Sequence, residues 1–256
     1  MGLGKKLNLA ALLFCTALLL WNGGLSGASD RAGNDQAVSS GKEMWRIASL
    51  NWEPYSGAEM STQGNLVQRL RTLLEQRGVR LVVEFYPWAR AQEFAKEPGF
   101  VGYFPAWPEE VQPGFIASDP LGWSDVSVMT YAGSGVEWQG LEKLFQEEYI
   151  GLVRTYDYPE NVARLAEKYP QNVTLLPSET SLLKKLARGH ISAAITDSAV
   201  MQYLAERMAL GNLSQLARLE NKPLVLAFQD TPRNRQRRDM LNALIQASGL
   251  LDSRPQ

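Results

Sequence analysis

Short apolar segments of strand composition alternate with amphipathic helical segments along most of this chain. The first half predicts a strand over residues 45–50, a helix over 63–77 and a second strand over 79–86. A short helix that begins at Pro87 and ends at Pro98 comes next, and a strand over 100–104 completes the order βαβαβ. Alternation with short connections predicts parallel strands covered by helices on both faces of a sheet.

The second half of the chain repeats the alternation. Gly133-Ser134-Gly135 breaks the pattern after a strand over 126–131, which predicts a crossing between two lobes. The elements predicted after it are helices over 141–145 and 159–168, strands over 149–153, 173–176 and 191–195, a helix capped by Ser178 or Thr180, a helix running to about Met208, a return strand over 224–228 and a last helix capped by Thr231.

The N-terminus carries the pattern of a secretory signal peptide. Lys5 and Lys6 precede an apolar run over residues 7–21, and Ser26-Gly27-Ala28 supplies the small residues of a cleavage site. The run is shorter than the ~20 apolar residues of a spanning helix. We therefore predict a signal peptide over residues 1–28, cleaved after Ala28, and export to the periplasm.

Composition excludes several classes of function. Cys15 is the only cysteine and lies in the predicted signal peptide, so a Cys/His metal site is excluded and no cofactor is predicted. Loss of Lys5 and Lys6 changes the formal net charge from −1 to −3, which argues against nucleic acid as a partner. His190 is the only histidine. We expect a monomer.

Aromatic residues concentrate at predicted strand ends and turns. Trp45 and Phe94 are assigned to the core. Ligand pockets are lined by aromatic side chains and lie at the carboxyl edge of open α/β sheets. We therefore predict ligand contact for six aromatic residues: Trp52, Tyr55, Trp88, Tyr103, Trp107 and Trp123.

Three charged residues complete the predicted binding site. Arg90 and Arg154 offer guanidinium groups that match a ligand carboxylate, the alternative being a surface salt bridge. Asp197 follows a buried strand and can accept from a ligand ammonium, the alternative being an N-cap for the next helix.

The order and spacing of several short motifs over residues 45–251 resemble extracellular solute-binding proteins of family three. The motifs are Asn51-Trp52-Glu53-Pro54-Tyr55, Tyr86-Pro87-Trp88-Ala89-Arg90-Ala91, Ser118-Asp119-Pro120-Leu121, Leu183-Lys184-Lys185-Leu186-Ala187-Arg188-Gly189, Ile195-Thr196-Asp197 and Ala247-Ser248-Gly249-Leu250. The resemblance implies the type II periplasmic-binding fold, in which two Rossmann-like α/β lobes are joined by two hinge crossings. Lobe one would take residues 44–127 and 225–256, and lobe two would take 128–224.

The resemblance also bears on the ligand. In amino-acid-binding members an arginine before the Ser-Asp-Pro segment clamps the ligand carboxylate, whereas this chain has Pro108-Glu109-Glu110 there. The acid that pairs with the ligand amino group in the family falls on Asp197. The departure argues against a standard α-amino acid as ligand unless Arg90 or Arg154 supplies the missing contact.

The sequence thus predicts a periplasmic protein that closes its lobes on a small polar ligand and delivers it to an ABC-type transporter. One alternative is an enzyme on the same fold resembling cyclohexadienyl dehydratases, with Glu53, Glu109 or Asp197 as general acid or base. Another is a ligand-sensing module for a signalling partner such as a sensor kinase.

Overall fold

The computed structural model describes residues 43–250, which fall within one compact unit, Gly41–Gln256. The predicted signal peptide and its cleavage site lie outside the described residues. The first half of the chain contains β1 (Met44–Ser49), α1 (Asn65–Glu75), β2 (Arg80–Phe85), α2 (Trp88–Phe94), β3 (Gly102–Ala106), β4 (Phe115–Ala117) and β5 (Gly122–Tyr131).

The second half continues the α/β alternation as predicted. Its elements are α3 (Leu141–Glu147), β6 (Ile150–Val153), α4 (Glu160–Lys168), β7 (Val173–Leu176), α5 (Glu179–Ala187), β8 (Ala193–Asp197), α6 (Ser198–Arg207), β9 (Leu213–Gln229) and α7 (Pro232–Ala247). Ser178, Asp197 and Thr231 cap α5, α6 and α7 by accepting from backbone N–H groups in the first turn of each helix. Two short 3₁₀ turns, Pro108–Glu110 and Pro170–Asn172, join neighbouring elements.

The strands lie in the order β2-β1-β3-β9-β5-β8-β6-β7, and β4 pairs with β9 away from this path. Strands β1, β2 and β3 pair in parallel at one end, and β6, β7 and β8 do so at the other. Long antiparallel strands β5 and β9 lie between them. Residues 213–224 of β9 pair with β5, and residues 225–229 pair with β3 and β4.

This arrangement is the two-lobed α/β architecture of periplasmic binding proteins, so the predicted fold class is confirmed. The apolar periodicity that predicted α1 also sets its packing. Its Leu66, Val67, Leu70, Leu73 and Leu74 are all buried. Within residues 43–250, no helix has both the length and the hydropathy that crossing a membrane would require.

Two predictions need correction, one about where strands begin and one about a core residue. The strands predicted at 126–131 and 224–228 begin earlier, at Gly122 and Leu213, because the two segments pair with each other. Trp45 is fully buried as predicted, but Phe94 is 41% exposed and does not belong to the core. Phe94 instead contacts the ring of Tyr86, with 4.5 Å between the ring centroids. This aromatic contact takes the place of burial in the core.

Candidate functional site

A cleft of about 470 Å³ lies between the first and second halves of the fold. Its lining comes from four loops, each of which directly follows a strand. Residues 50–52 follow β1 and 85–89 close and follow β2, while Val153, Thr155 and Tyr156 close and follow β6 and residues 177–179 follow β7. These are the carboxyl ends of two parallel strand pairs, where ligands bind in open α/β sheets. The sequence predicts ligand contacts at strand ends of this kind, and the cleft lies at such ends.

Trp52 joins the two sides of the cleft. Its Nε1 donates to Glu179 Oε1 at 2.8 Å, and its ring lies 6.4 Å from the ring of Tyr156 in an edge-on arrangement. Trp52 is 6% exposed, so the indole is shielded from water. The hydrogen bond and the ring contact together hold the loop after β1 against the second half.

Glu179 is a half-buried acid on the cleft wall. It lies in the first turn of α5. Burial raises the pKa of Glu179 to about 7, although its own backbone N–H and the Trp52 indole partly offset the effect, and Asp197 and Glu53 raise the pKa further by charge repulsion. Near neutral pH this side chain therefore changes between its neutral and charged forms.

Trp88 carries a second aromatic–acid pair. Its Nε1 donates to Glu110 Oε1 at 3.0 Å, while Glu110 Oε2 accepts from the backbone N–H of Trp107 at 2.9 Å. Tyr103 packs edge-on against Trp88 at 5.5 Å and donates to the carbonyl of Glu110 at 2.7 Å. Trp88 thus lines the cleft with its indole N–H hydrogen-bonded to a half-buried acid.

Glu110 resembles Glu179 in its electrostatics. Burial raises the pKa of Glu110 to about 7, and the bonds from Trp107 and Trp88 offset part of that rise. Asp157 raises the pKa of Glu110 further, whereas Lys222 lowers it. A small void of about 20 Å³, lined by Leu50, Trp52, Trp88, Pro105, Trp107, Glu110 and Tyr156, adjoins the cleft at this acid.

Asp197 is fully buried and its carboxylate is saturated by donors of the protein itself. Oδ2 accepts from Tyr55 Oη at 2.9 Å, from Ser124 Oγ at 2.6 Å and from the backbone N–H of Asp125 at 3.1 Å. Oδ1 accepts from the N–H of Val200 at 2.9 Å, as an N-cap does. Burial raises the pKa of Asp197, and these four bonds counteract that rise. In this conformation Asp197 joins the two halves through Tyr55.

Two buried polar atoms beside the cleft have no hydrogen-bond partner among residues 43–250. They are Trp107 Nε1 and Tyr156 Oη. The two rings are in edge-on contact with their centroids 5.2 Å apart. Because buried polar groups are normally paired, these atoms are candidates for contact with a bound molecule.

Lys222 is a buried cation close to the cleft, with a side chain that is 2% exposed. Its Nζ donates to the carbonyl of Asp157 at 3.0 Å, lies 3.5 Å from Glu109 and stands 4.5 Å from the centroid of the Trp107 ring. The charge of Lys222 is therefore engaged by other groups of the protein and lies outside the cleft lining.

The predicted site residues fall into three groups: residues at or beside the cleft, aromatic residues that do not line it, and two exposed arginines. The structure brings Trp52 and Trp88 together on the cleft wall. Trp107 lines the adjoining void, and Tyr55 donates a hydrogen bond to Asp197. Tyr103 is fully buried and supports Trp88 without lining the cleft, and Trp123 lies within β5 opposite Pro223.

Neither predicted arginine lines the cleft. Arg90 and Arg154 are both exposed, although their chain neighbours Ala89, Val153 and Thr155 do line it. Their backbones follow the predicted strand ends, but the side chains lie in solvent. Of the residues that the structure describes, none with a basic side chain lines the cleft in place of the clamping arginine of amino-acid binders.

Sequence reasoning missed Tyr156, Glu179 and Glu110 as site residues. Tyr156 and Glu179 follow β6 and β7 by three residues each, so the strand-end rule that found Trp52 and Trp88 would also have found them. Within residues 43–250 there is no group of three or more His, Cys, Asp or Glu side chains arranged to hold a metal ion.

Comparison with solved structures finds the same architecture elsewhere. A histidine kinase sensor domain with similarity to periplasmic binding proteins matches at 18% identity and a TM-score of 0.67, over 83% of this chain and 94% of that chain. An ancestral arginine-binding protein bound to arginine matches at 13% identity and a TM-score of 0.66, over 82% and 95%. The ancestral amino-acid-binding protein AncCDT-1, a precursor of cyclohexadienyl dehydratase, matches at 14% identity and a TM-score of 0.63, over 82% and 92%.

At these identities the likeness shows the fold. The chain has the fold of these amino-acid-binding proteins and of the histidine kinase sensor domain. No protein-family model matches the sequence, and a search of curated proteins found no match.

Proposed function

We propose that this protein is a periplasmic binding protein that captures one small ligand in the cleft between its two halves. The observation that carries the proposal is the cleft itself, because its wall combines Trp52 and Trp88 from one half with Tyr156 and Glu179 from the other. A volume of about 470 Å³ falls in the range of sites for small molecules.

The lobe boundaries are part of this proposal. Lobe one takes residues 44–127 with 225–256, and lobe two takes 128–224. The change of partners along β9, from β5 to β3 and β4 at residues 224–225, supports the second crossing. Gly122 of β5 lies opposite Leu224, which supports a hinge of two adjacent strands.

The proposed mechanism is hinge closure. Opening separates Trp52 from Glu179 and Tyr55 from Asp197, and it admits the ligand. Closing re-forms both contacts around the ligand and removes water, which strengthens the polar interactions within the cleft.

We further propose that the closed, liganded form is read by a membrane partner, either an ABC-type permease or a sensor kinase. The resemblance to family three favours a permease, and the match to a sensor domain favours a kinase. Pull-down of the liganded protein against each candidate would separate the two, and capture of neither would contradict a partner-delivery role.

A thermal-shift screen tests ligand capture. Amino acids, polyamines, sugar acids, aromatic acids and amines are added singly, because a ligand that binds only the native state raises Tm. Trp88→Ala should abolish the shift of any hit or weaken its binding by about tenfold. The matched control is Trp138→Ala, which removes a 39% exposed tryptophan that does not line the cleft. A shift that survives in Trp88→Ala would contradict the proposed site.

An enzyme on this fold is the second candidate function. The observation in its favour is that Glu110 and Glu179 both have a pKa of about 7, as a general acid or base requires. The acids predicted from the sequence suit the role less well, since Glu109 is exposed and Asp197 is saturated by four donors. Turnover of prephenate or arogenate that is lost in Glu110→Gln or Glu179→Gln would establish the enzyme.

A further inference from the structure

Two aromatic–acid pairs converge on one cleft. The Trp52–Glu179 pair spans the two halves, and the Trp88–Glu110 pair lies on the first half. The cleft and its adjoining void share Trp52, Trp88 and Tyr156 as lining residues, so the two acids border neighbouring spaces.

Both acids accept hydrogen bonds from N–H donors and face no cation within the lining. Glu110 accepts from Trp88 and from the backbone of Trp107, and Glu179 accepts from Trp52. Lys222 is engaged by Asp157 and Glu109 and stands over the Trp107 ring, and its charge also acts on Glu110. Among residues 43–250, the linings of the cleft and the void therefore offer two acids and several π faces and contain no basic side chain.

This chemistry suits a positively charged ligand. Aromatic faces attract ammonium groups through the ring quadrupole, and a buried carboxylate needs a paired cation to compensate for its lost hydration. A ligand carboxylate would meet two acids and no guanidinium, which is unfavourable. Resting on the function proposed above, we propose that the cleft selects small organic cations, amines or quaternary ammonium compounds, that carry no carboxylate group.

The titration of the acids supports the same ligand class. Glu110 and Glu179 each have a pKa of about 7, so both become negatively charged as the pH rises above neutrality. The charged groups that act on Glu179 are Asp197 and Glu53, while Asp157 and Lys222 act on Glu110. Cation binding should therefore strengthen from about pH 5 to about pH 8 and release protons near neutrality.

A matched series of four probes tests the charge preference by isothermal calorimetry on the full protein. Phenethylamine is the cation, phenethyl alcohol the neutral probe, phenylalanine the zwitterion and 3-phenylpropionate the anion, all on one phenyl scaffold. We expect phenethylamine to bind at least about tenfold more tightly than the other three. Equal or tighter binding of phenylalanine or 3-phenylpropionate would overturn the proposal.

Substitutions test which side chains recognise the charge of the ligand. Glu110→Gln and Glu179→Gln should each weaken phenethylamine binding about tenfold and leave phenethyl alcohol within about twofold. Glu206→Gln, an exposed acid on α6 outside the lining, is the control and should change neither. If the glutamine variants lost affinity for phenethylamine and for phenethyl alcohol equally, the acids would have a structural role and the charge argument would be overturned.

The failure of this inference is distinct from failure of the proposed function. If phenethylamine, choline and putrescine all fail to bind at millimolar concentration, the cation class is overturned. A neutral or anionic hit in the thermal-shift screen that is lost in Trp88→Ala would still support ligand capture in the cleft.

Discussion

At the scale of single residues, Asp197 makes contacts in this structure that differ from the role the family resemblance implies. The resemblance to family three assigns this acid to the ligand amino group, but four protein donors occupy its oxygens here. Its carboxylate therefore stabilises the contact between the halves through Tyr55, and a ligand ammonium would first have to displace that bond.

Asp197→Asn tests this assignment. Asparagine caps helices as well as aspartate does, so the N-cap bond to Val200 survives and only the Oδ2 side changes. An amide NH₂ facing Tyr55, Ser124 and the Asp125 N–H leaves buried donors unpaired, and we expect a loss of about 1–3 kcal/mol in the free energy of unfolding. Urea unfolding measures the loss. Wild-type stability in the variant would contradict the role, as would equal losses in Asp197→Asn and the N-cap control Ser178→Ala.

Glu110 and Glu179 give a second residue-scale prediction, on stability against pH. Their folded pKa of about 7 lies above the unfolded value of 4.5, so the folded state binds more protons between these pH values. Each group therefore stabilises the fold at low pH and loses that contribution as the pH rises through 7, by roughly 3 kcal/mol per group.

Glutamine does not titrate, so the fall in stability between pH 5 and pH 8 should be smaller in Glu110→Gln than in the wild type. Its amide NH₂ cannot accept from an N–H group as the second carboxylate oxygen does, so the variant should be less stable than the wild type near pH 5. Urea unfolding followed by tryptophan fluorescence at the two pH values gives the comparison, with Glu206→Gln as the control. Parallel pH profiles in the wild type and Glu110→Gln would rule out a titrating group at this site.

The strand-end rule explains both what the sequence could predict about the site and what it could not. The rule predicts Trp52 and Trp88 because each follows a strand by three residues. Arg154 directly follows β6 and Arg90 follows β2 by five residues, but both are exposed, and backbone position does not reveal the direction of a side chain. In the sequence Glu110 marks only the absence of an arginine, because its pairing depends on contacts with Trp88 and Trp107.

At the scale of elements, β5 and β9 are the part of the fold that the sequence described least well. The parallel strands β1, β2, β6 and β7 are short and apolar and were predicted nearly to their ends. The first part of β9 is polar and contains Asn221-Lys222-Pro223, which argues against a strand on propensity alone. Pairing with β5 stabilises it, and that pairing is a tertiary contact.

Gly102 tests the junction where β3 meets β9. A Cβ at this position would lie 1.8 Å from the carbonyl oxygen of Ala227, so the two strands could not keep their spacing. Gly102→Ala should therefore lower the free energy of unfolding by about 2 kcal/mol or more. Gly211→Ala, at a position with nothing within 4 Å, is the control and should stay within about 0.5 kcal/mol of the wild type. Equal effects of the two variants in urea unfolding would contradict the close approach.

At the scale of the whole molecule, two halves meet over a cleft that neither could form alone. The Trp52–Glu179 bond crosses the cleft, the Tyr55–Asp197 bond also joins the halves, and the long strands β5 and β9 connect them in the middle of the strand order. The sheet order and the comparison with solved structures show the fold, whereas the ligand proposal rests on the side chains that line the cleft.

The most direct test is a crystal structure grown with the strongest hit of the thermal-shift screen. We predict electron density for the ligand between the halves, in contact with Trp88 on one side and with Tyr156 or Glu179 on the other. Density for the ligand on one half alone, or at a surface outside the cleft, would contradict the account.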